Sequence, residues 1–471
     1  MDEDSLSIKG HWWYPDKPEN KISGILTIDS PDSIELKTIG TLISWETLLS
    51  QSSDSKEADV ILGDDLNGKC ITLFKVLRTN MVGHSESTYI CQIAIIGRNH
   101  FLSEKDAVFT EAKANFSLLE EWLCKSGISS KHDRNVENGT LKFGIEYEEP
   151  DNLEYYVKEI TAKLSLSYSF NCREIEKNHW FFKQISSFKL SPDYSKGLQW
   201  FLKNFEDLRR LFTILIGFPI VLEGVICYGK EIELDPHTRG KEDFYIYIRR
   251  NKSFLKAEKK HPSKLLTTFP DLKDFFDNLI NNWFGKYEDL NPSVILCVAT
   301  MSVNLGYAEF SLLNYAQSLE SLHRRMFGGK YVSAEEFKPI RKAITESLPD
   351  ELNDDLRQSL STRIRYGNEF SQKTRIAALL DEVWEDCLEN FIVDKEGFVK
   401  RVVDTRNYLI HFDPSLSPKV ASGTEIFYLG EKLKIILIAN IFIQLGMPRE
   451  KVVSLINSFS EFNYLKLRNL S

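Results

Sequence analysis

Long apolar runs are scarce in this sequence. The two strongest are Leu211 to Leu222 and Ile435 to Ile443. The first is followed by Glu223, and the second contains Asn440. Both are shorter than the roughly 18 residues that a membrane-spanning helix requires. They read as buried elements, and no membrane partner is expected. Cysteine is sparse and dispersed, with seven residues and no Cys-x-x-Cys pair. An odd, scattered set argues against a disulfide framework and suits reduced thiols, so a cytoplasmic location is expected. The histidines and cysteines show no zinc spacing, so no metal or other cofactor is expected. Met1-Asp2-Glu3-Asp4 is acidic and lacks the apolar stretch of a secretory signal. A phosphate-cradling glycine loop, a Gly-x-Ser-x-Gly elbow and an internal repeat are also missing. Positive charge is not in excess. The net charge of −9 argues against coating nucleic acid through bulk charge, while leaving a local basic cleft open.

The 471 residues suggest roughly two to four domains. Apolar content of 42% is ample for sizeable cores. The expected class is α+β: a β-rich N-terminal region followed by an all-α helical bundle. The division expected is residues 1–285 and 292–471.

In the front region, Ile22 to Ile28, Ser33 to Leu42, Cys70 to Leu77 and Tyr89 to Ile96 read as strands, with a turn at Asp64, Asp65, Asn67 and Gly68. Trp12 and Trp13 adjoin each other, so in a strand one points in and the other out. They serve either as packing residues or as a recognition aromatic at a partner surface. Phe109 to Cys124 has helical spacing, and so does Ser195 to Leu215. No catalytic constellation is visible in this block.

After Asn291-Pro292 the composition turns helical. Val294 to Phe327 reads as one long periodic run. Ser333 and Glu336 form a capping box at the next helix start. Glu351 to Tyr366, Ser371 to Phe391, Gly397 to Phe412 and Thr424 to Leu445 follow, the last stopped by Gly446-Met447-Pro448. Short connections make this a bundle.

The helix Gly397 to Phe412 has two faces at about 100° per residue. Phe398, Val399, Val402, Val403, Leu409 and Ile410 share one arc. Lys400, Asp404, Asn407 and His411 share the opposite one, so Asn407 and Asp404 sit one and two turns before His411. Arg406 is the odd member, in the middle of the apolar arc and about 140° from His411. A buried guanidinium needs a partner. Three alternatives remain open: a carboxylate partner, a deformed helix, or a side chain that curls to the polar side. Glu320, on the first bundle helix, is either solvated or that partner. With that pairing, Arg406→Ala would cost stability as well as activity. Arg324, Arg325, Arg363 and Arg365 either face solvent or line a cleft that binds RNA phosphates. Spacing alone does not single the motif out, because Arg173 and His179 match it too.

Context separates the two matches. Arg406-Asn407-Tyr408-Leu409-Ile410-His411 closely resembles the Arg-Asn-x-x-x-His signature of HEPN ribonucleases. The wider chain resembles the ApeA-like HEPN proteins of bacterial antiphage defence. In front, that likeness rests on Gly10-His11-Trp12-Trp13-Tyr14-Pro15, Gly24-Ile25-Leu26, Ile61-Leu62-Gly63 and Gly68-Lys69-Cys70-Ile71-Thr72-Leu73. Behind, it rests on Leu319-Glu320-Ser321-Leu322-His323-Arg324 and the motif itself. The resemblance implies an endoribonuclease toxin that acts in abortive infection on tRNA or another host RNA. It also implies a homodimer through the helical domain, with two motifs facing one cleft, and a phage-derived trigger read by the front region.

The residue types agree with that implication. RNA supplies its own nucleophile, the ribose 2′-OH, so cleavage needs acid–base groups and a cation rather than a metal. Histidine suits proton transfer near neutral pH, and the arginine fork suits phosphate. Asn407 and Asp404 are placed to fix the His411 tautomer. The expected ends are a 2′,3′-cyclic phosphate and a 5′-hydroxyl. The competing expectation is a non-catalytic HEPN module for dimerisation or nucleotide binding.

Overall fold

The computed structural model describes residues 5–29, 33–42, 57–82, 85–135, 140–177, 179–235, 238–249, 258–303, 306–384 and 388–466. Met1 to Asp4 lie outside them. The chain divides into two compact units, 1–277 and 278–471.

Six antiparallel strands open the first unit: β1 (Ser5–Trp13), β2 (Ile22–Asp29), β3 (Ser33–Ile39), β4 (Glu57–Asp65), β5 (Cys70–Val82) and β6 (Glu86–Gly97). Their order is β6-β3-β2-β1-β4-β5, and β5 pairs back onto β6, so the six close into a barrel. Closure removes the unpaired edges of an open sheet. Inward residues such as Leu26, Leu36, Ile61, Ile71, Leu73 and Tyr89 pack around the Trp12 ring. Gly24 and Gly63 make room for that ring. A Cβ built on them would lie 2.9 and 2.3 Å from indole carbons. Trp12 and Trp13 are both buried, so the packing reading holds and neither indole is a surface recognition aromatic.

The next strands are β7 (Val108–Phe109), β8 (Glu111–Phe116), β9 (Ile128–Asn135), β10 (Thr140–Tyr147), β11 (Glu154–Val157), β12 (Ala162–Glu176), β13 (His179–Pro192), β14 (Lys196–Gly197), β15 (Leu222–Asp235) and β16 (Thr238–Ile248). β16 pairs with β6 through Ile93 to Ile96, and the sheet runs on as β16-β15-β8-β13-β12-β11. Helix α1 (Leu119–Leu123) is short. Helix α2 (Leu198–Ile216) buries Phe201, Phe205, Leu208, Leu211 and Phe212. The Phe205 and Phe212 rings meet Phe116 of β8 and Phe188 of β13. The helix expected over Phe109 to Cys124 is a strand for its first half. Ala112, Ala114 and Phe116 are buried at period two, and Leu118 turns the chain with a φ of 62°.

The second unit is helical: α3 (Phe276–Gly285, which begins just before the division), α4 (Tyr287–Ser302), α5 (Ala308–Phe327), α6 (Ala334–Glu346), α7 (Asp354–Tyr366), α8 (Gln372–Val383), α9 (Lys395–His411), α10 (Thr424–Gln444) and α11 (Arg449–Ser458). The run expected over Val294 to Phe327 is two helices, with Val303 extended and Gly306 at a φ of 69°. α10 is central, with every residue from Ile435 to Phe442 buried. Gly430 brings it against α5, where a Cβ would lie 3.5 Å from the Leu312 backbone nitrogen. Asn440 ties it to α8 by donating to the Leu379 carbonyl at 3.0 Å. α6 starts with the expected capping box of Ser333 and Glu336. Among the described residues, no helix is long and apolar enough to cross a membrane.

Candidate active site on helix α9

Helix α9 is held in place by its first two-thirds. Asp394 caps it by accepting from the Gly397 amide at 3.0 Å. Phe398, Val399, Val402 and Thr405 are buried. The Thr405 hydroxyl donates to the Arg401 carbonyl at 2.7 Å and accepts from the Ala421 amide at 2.9 Å. Arg401 donates two hydrogen bonds to Glu425 of α10, both 2.8 Å, and a third to the Lys419 carbonyl at 2.7 Å. That pair holds the Glu425 carboxyl below its usual range. The motif helix is thereby clamped to the turn Pro414–Lys419 and to the start of α10.

The last turns are open. Arg406 and Asn407 are half-buried, and His411 is exposed. The helix stays regular through the motif and ends at Phe412, which caps it in the left-handed region with a φ of 50°. Deformation therefore does not accommodate Arg406, and among the described residues no carboxylate pairs with it. Its guanidinium instead donates to the Asn407 side-chain oxygen at 3.1 Å. The side chain thus turns out of the apolar arc toward the polar one. Arginine can only donate, so the Asn407 oxygen must face it and the amide NH₂ is left to donate elsewhere. Asp404 is half-buried on the same arc, and its charge acts on Arg401.

Glu320 is elsewhere. It accepts from Arg324, one turn along α5, at 3.3 Å, and Arg324 also pairs with Glu369. Of the two alternatives for Glu320, the pairing with Arg406 is not formed; its partner is Arg324, one helical turn away. Arg325, Arg363 and Arg365 are exposed, the latter two in the last turn of α7. Arg365 lies over the Tyr366 ring. Arg324 is thus engaged by two carboxylates.

Two features escaped the sequence reading. Arg375 of α8 is 1% exposed and is held by acceptors rather than by a carboxylate. It donates to the carbonyls of Phe370 (3.1 Å), Gly328 and Gly329 (3.3 Å), and lies 3.1 Å from His323 Nδ1. Burial and the adjacent guanidinium hold the His323 imidazole below its ordinary value, so it stays neutral and accepts. This cluster locks the end of α5 to the start of α8. Lys432 of α10 is also buried, and burial lowers its amine. In sequence both look like ordinary basic residues on helices. Asp64, Cys70 and His100 of the barrel form a further cluster with the donor chemistry to hold a metal.

A closed barrel and antiparallel sheet, with a helical unit carrying Arg-Asn-x-x-x-His on an exposed helix end, define a β-rich module joined to a HEPN-type domain. Comparison with known families agrees. The model for ApeA N-terminal domain 1 matches residues 7–283, more than half of the chain, and that for Apea-like HEPN matches 313–451. The chain belongs to the ApeA family. No curated protein and no solved structure matches it. The HEPN match covers Arg406 to His411 and points to the RNase-type antiphage function general to such domains.

Proposed function

We propose that the protein is an endoribonuclease of an abortive-infection system, with Arg406 and His411 as catalytic residues and Asn407 as a positioning residue. One observation carries the reading: a regular helix places the Arg406 guanidinium on Asn407, one turn before an exposed imidazole. The guanidinium would neutralise the phosphate as its fifth oxygen bonds, and the imidazole would move a proton between ribose or leaving oxygen and solvent. The 2′-oxygen attacks phosphorus, the bond to the 5′-oxygen breaks, and the 5′-oxygen takes up a proton.

One imidazole cannot serve opposite sides of a phosphate at once. Two chains related by a twofold axis would supply base and acid from equivalent helices. The uncovered apolar end of α9, with Ile410 45% and Phe412 67% exposed beside the motif, supports such a neighbour. The trigger would act through the front region.

The test compares cells expressing wild type and His411→Ala, with and without phage. Growth arrest and RNA breakdown confined to infected wild-type cells are expected. Equal behaviour of the two proteins in every arm would overturn the reading and leave the non-catalytic module.

A further inference from the structure

We propose that Asp64, Cys70 and His100 form a binding site for a divalent cation of the zinc class, which clasps the ends of β4, β5 and β6. Their ligand atoms all lie within 4.8 Å of one another. The linear spacing is not that of a zinc motif, because sheet register assembles the set. Asp64 and Cys70 are direct partners across the antiparallel β4–β5 pair, so their side chains share a face. Cys70 is the partner of Gly97 at the end of β6, and His100 follows three residues later.

The framework is set before any ion arrives. The turn between Asp64 and Cys70 is fixed by Asp65, whose Oδ1 accepts from the amides of Asn67 at 2.8 Å and Lys69 at 2.7 Å. His100 is anchored on both sides. Asn99 donates to Glu242 at 3.0 Å, and the Phe101 amide donates to the Thr72 hydroxyl at 3.1 Å. The Trp13 ring stands edge-on to the imidazole at 5.2 Å and fixes its plane. His100 Nε2 points at Asp64 Oδ1, 3.2 Å away, and at the Gly63 carbonyl, 2.9 Å away. The other carboxylate oxygen, Oδ2, accepts from Lys21 at 3.1 Å, which leaves Oδ1 facing the cluster and orients the group.

The chemistry fits. Zinc takes thiolate, imidazole nitrogen and carboxylate oxygen at roughly 2.0 to 2.3 Å, which sets tetrahedral edges of roughly 3.5 Å. The Nε2–Oδ1 edge, 3.2 Å, is already near that length, and the thiol, within 4.8 Å of both, needs to close by at most about 1.3 Å. Binding forms a metal–sulfur bond as the Cys70 proton passes to water. The imidazole proton moves from Nε2 to Nδ1 through solvent. Water takes the fourth position and donates to the Gly63 carbonyl in place of the imidazole N–H.

The test uses the full-length chain stripped with chelator and titrated with Co²⁺. One cobalt per chain, with a thiolate charge-transfer band that Zn²⁺ removes, is expected. Cys70→Ser should abolish the band, His100→Ala should weaken binding at least tenfold, and Cys172→Ser should leave both unchanged. A measurement without variants guards against misfolding. Saturating Zn²⁺ should protect Cys70 from alkylation in peptide maps, with exposed Cys124 and Cys172 as internal references. No band, a band that survives Cys70→Ser, or unchanged Cys70 alkylation would each overturn the proposal.

Discussion

Replacing Arg375 by methionine tests whether the buried guanidinium, rather than apolar packing alone, holds the bundle together. Methionine keeps the side chain only as far as the ε position and removes every donor. The loss is four contacts: three carbonyl acceptors and the His323 ring nitrogen. Hydrogen bonds from a charged donor contribute about 1.5 to 3 kcal/mol each, but the guanidinium no longer has to be desolvated, which offsets much of the sum. Gly328 is exposed, so water can satisfy its carbonyl. His323 is 5% exposed, so its acceptor is left bare at a cost of about 1 to 3 kcal/mol. The net expectation is a loss of about 2 to 4 kcal/mol. For a unit of roughly 200 residues each kcal/mol moves the midpoint about 2 to 4 °C, so the helical unit should melt about 4 to 16 °C lower. The assay is far-ultraviolet circular dichroism of the full chain on heating, with wild type alongside. A midpoint within 2 °C of wild type would refute the reasoning, because it would mean the four acceptors gain nothing from the cation.

His323 gives a pH test of the same cluster. Its folded-state value is depressed, so its contribution is fully present above the unfolded value of about 6.5 and is lost as pH falls below it. Wild-type stability should drop as pH falls below about 6.5, with a slope of at most about 1.4 kcal/mol per pH unit from this group, and His323→Gln should flatten that part of the curve. Arg401→Ala should cost only about 0.5 to 1 kcal/mol, because both partners are about one-third exposed, yet it should lower RNA cleavage by loosening α9. Arg406→Ala and Asn407→Ala should leave the melting temperature within about 2 °C of wild type, since neither removes a salt bridge. In a cleavage assay Arg406→Ala should lower kcat, and Asn407→Ala should fall between it and wild type.

The helices were legible because their stripes and caps are local. Ser333 with Glu336 marks a start, and Ile435 to Ile443 stands out as an apolar run within α10. The break at Val303 to Gly306 was not, since the periodic residues on either side keep their phase. Phe109 to Cys124 misled for a related reason. Phe116, Leu119, Trp122 and Leu123 match a helix, while the strand rests on two alanines and one phenylalanine. Closure of the barrel depends on β5 pairing with both β4 and β6, which no single segment encodes. The same limit hid Asp64, Cys70 and His100, brought together by register, and Arg375, whose acceptors lie about fifty residues upstream or in the turn just before it. The motif was legible as a pattern, and its geometry was not. The direction of the Arg406 side chain is set by its hydrogen bond to Asn407, which helical spacing alone does not reveal.

The chemistry of the cut RNA ends tests the central claim most directly. RNA from infected cells carrying wild type should show 2′,3′-cyclic phosphate and 5′-hydroxyl ends that are absent with His411→Ala. Ends bearing 3′-hydroxyl and 5′-phosphate, or the same cuts with His411→Ala, would contradict cleavage by the Arg406–His411 helix.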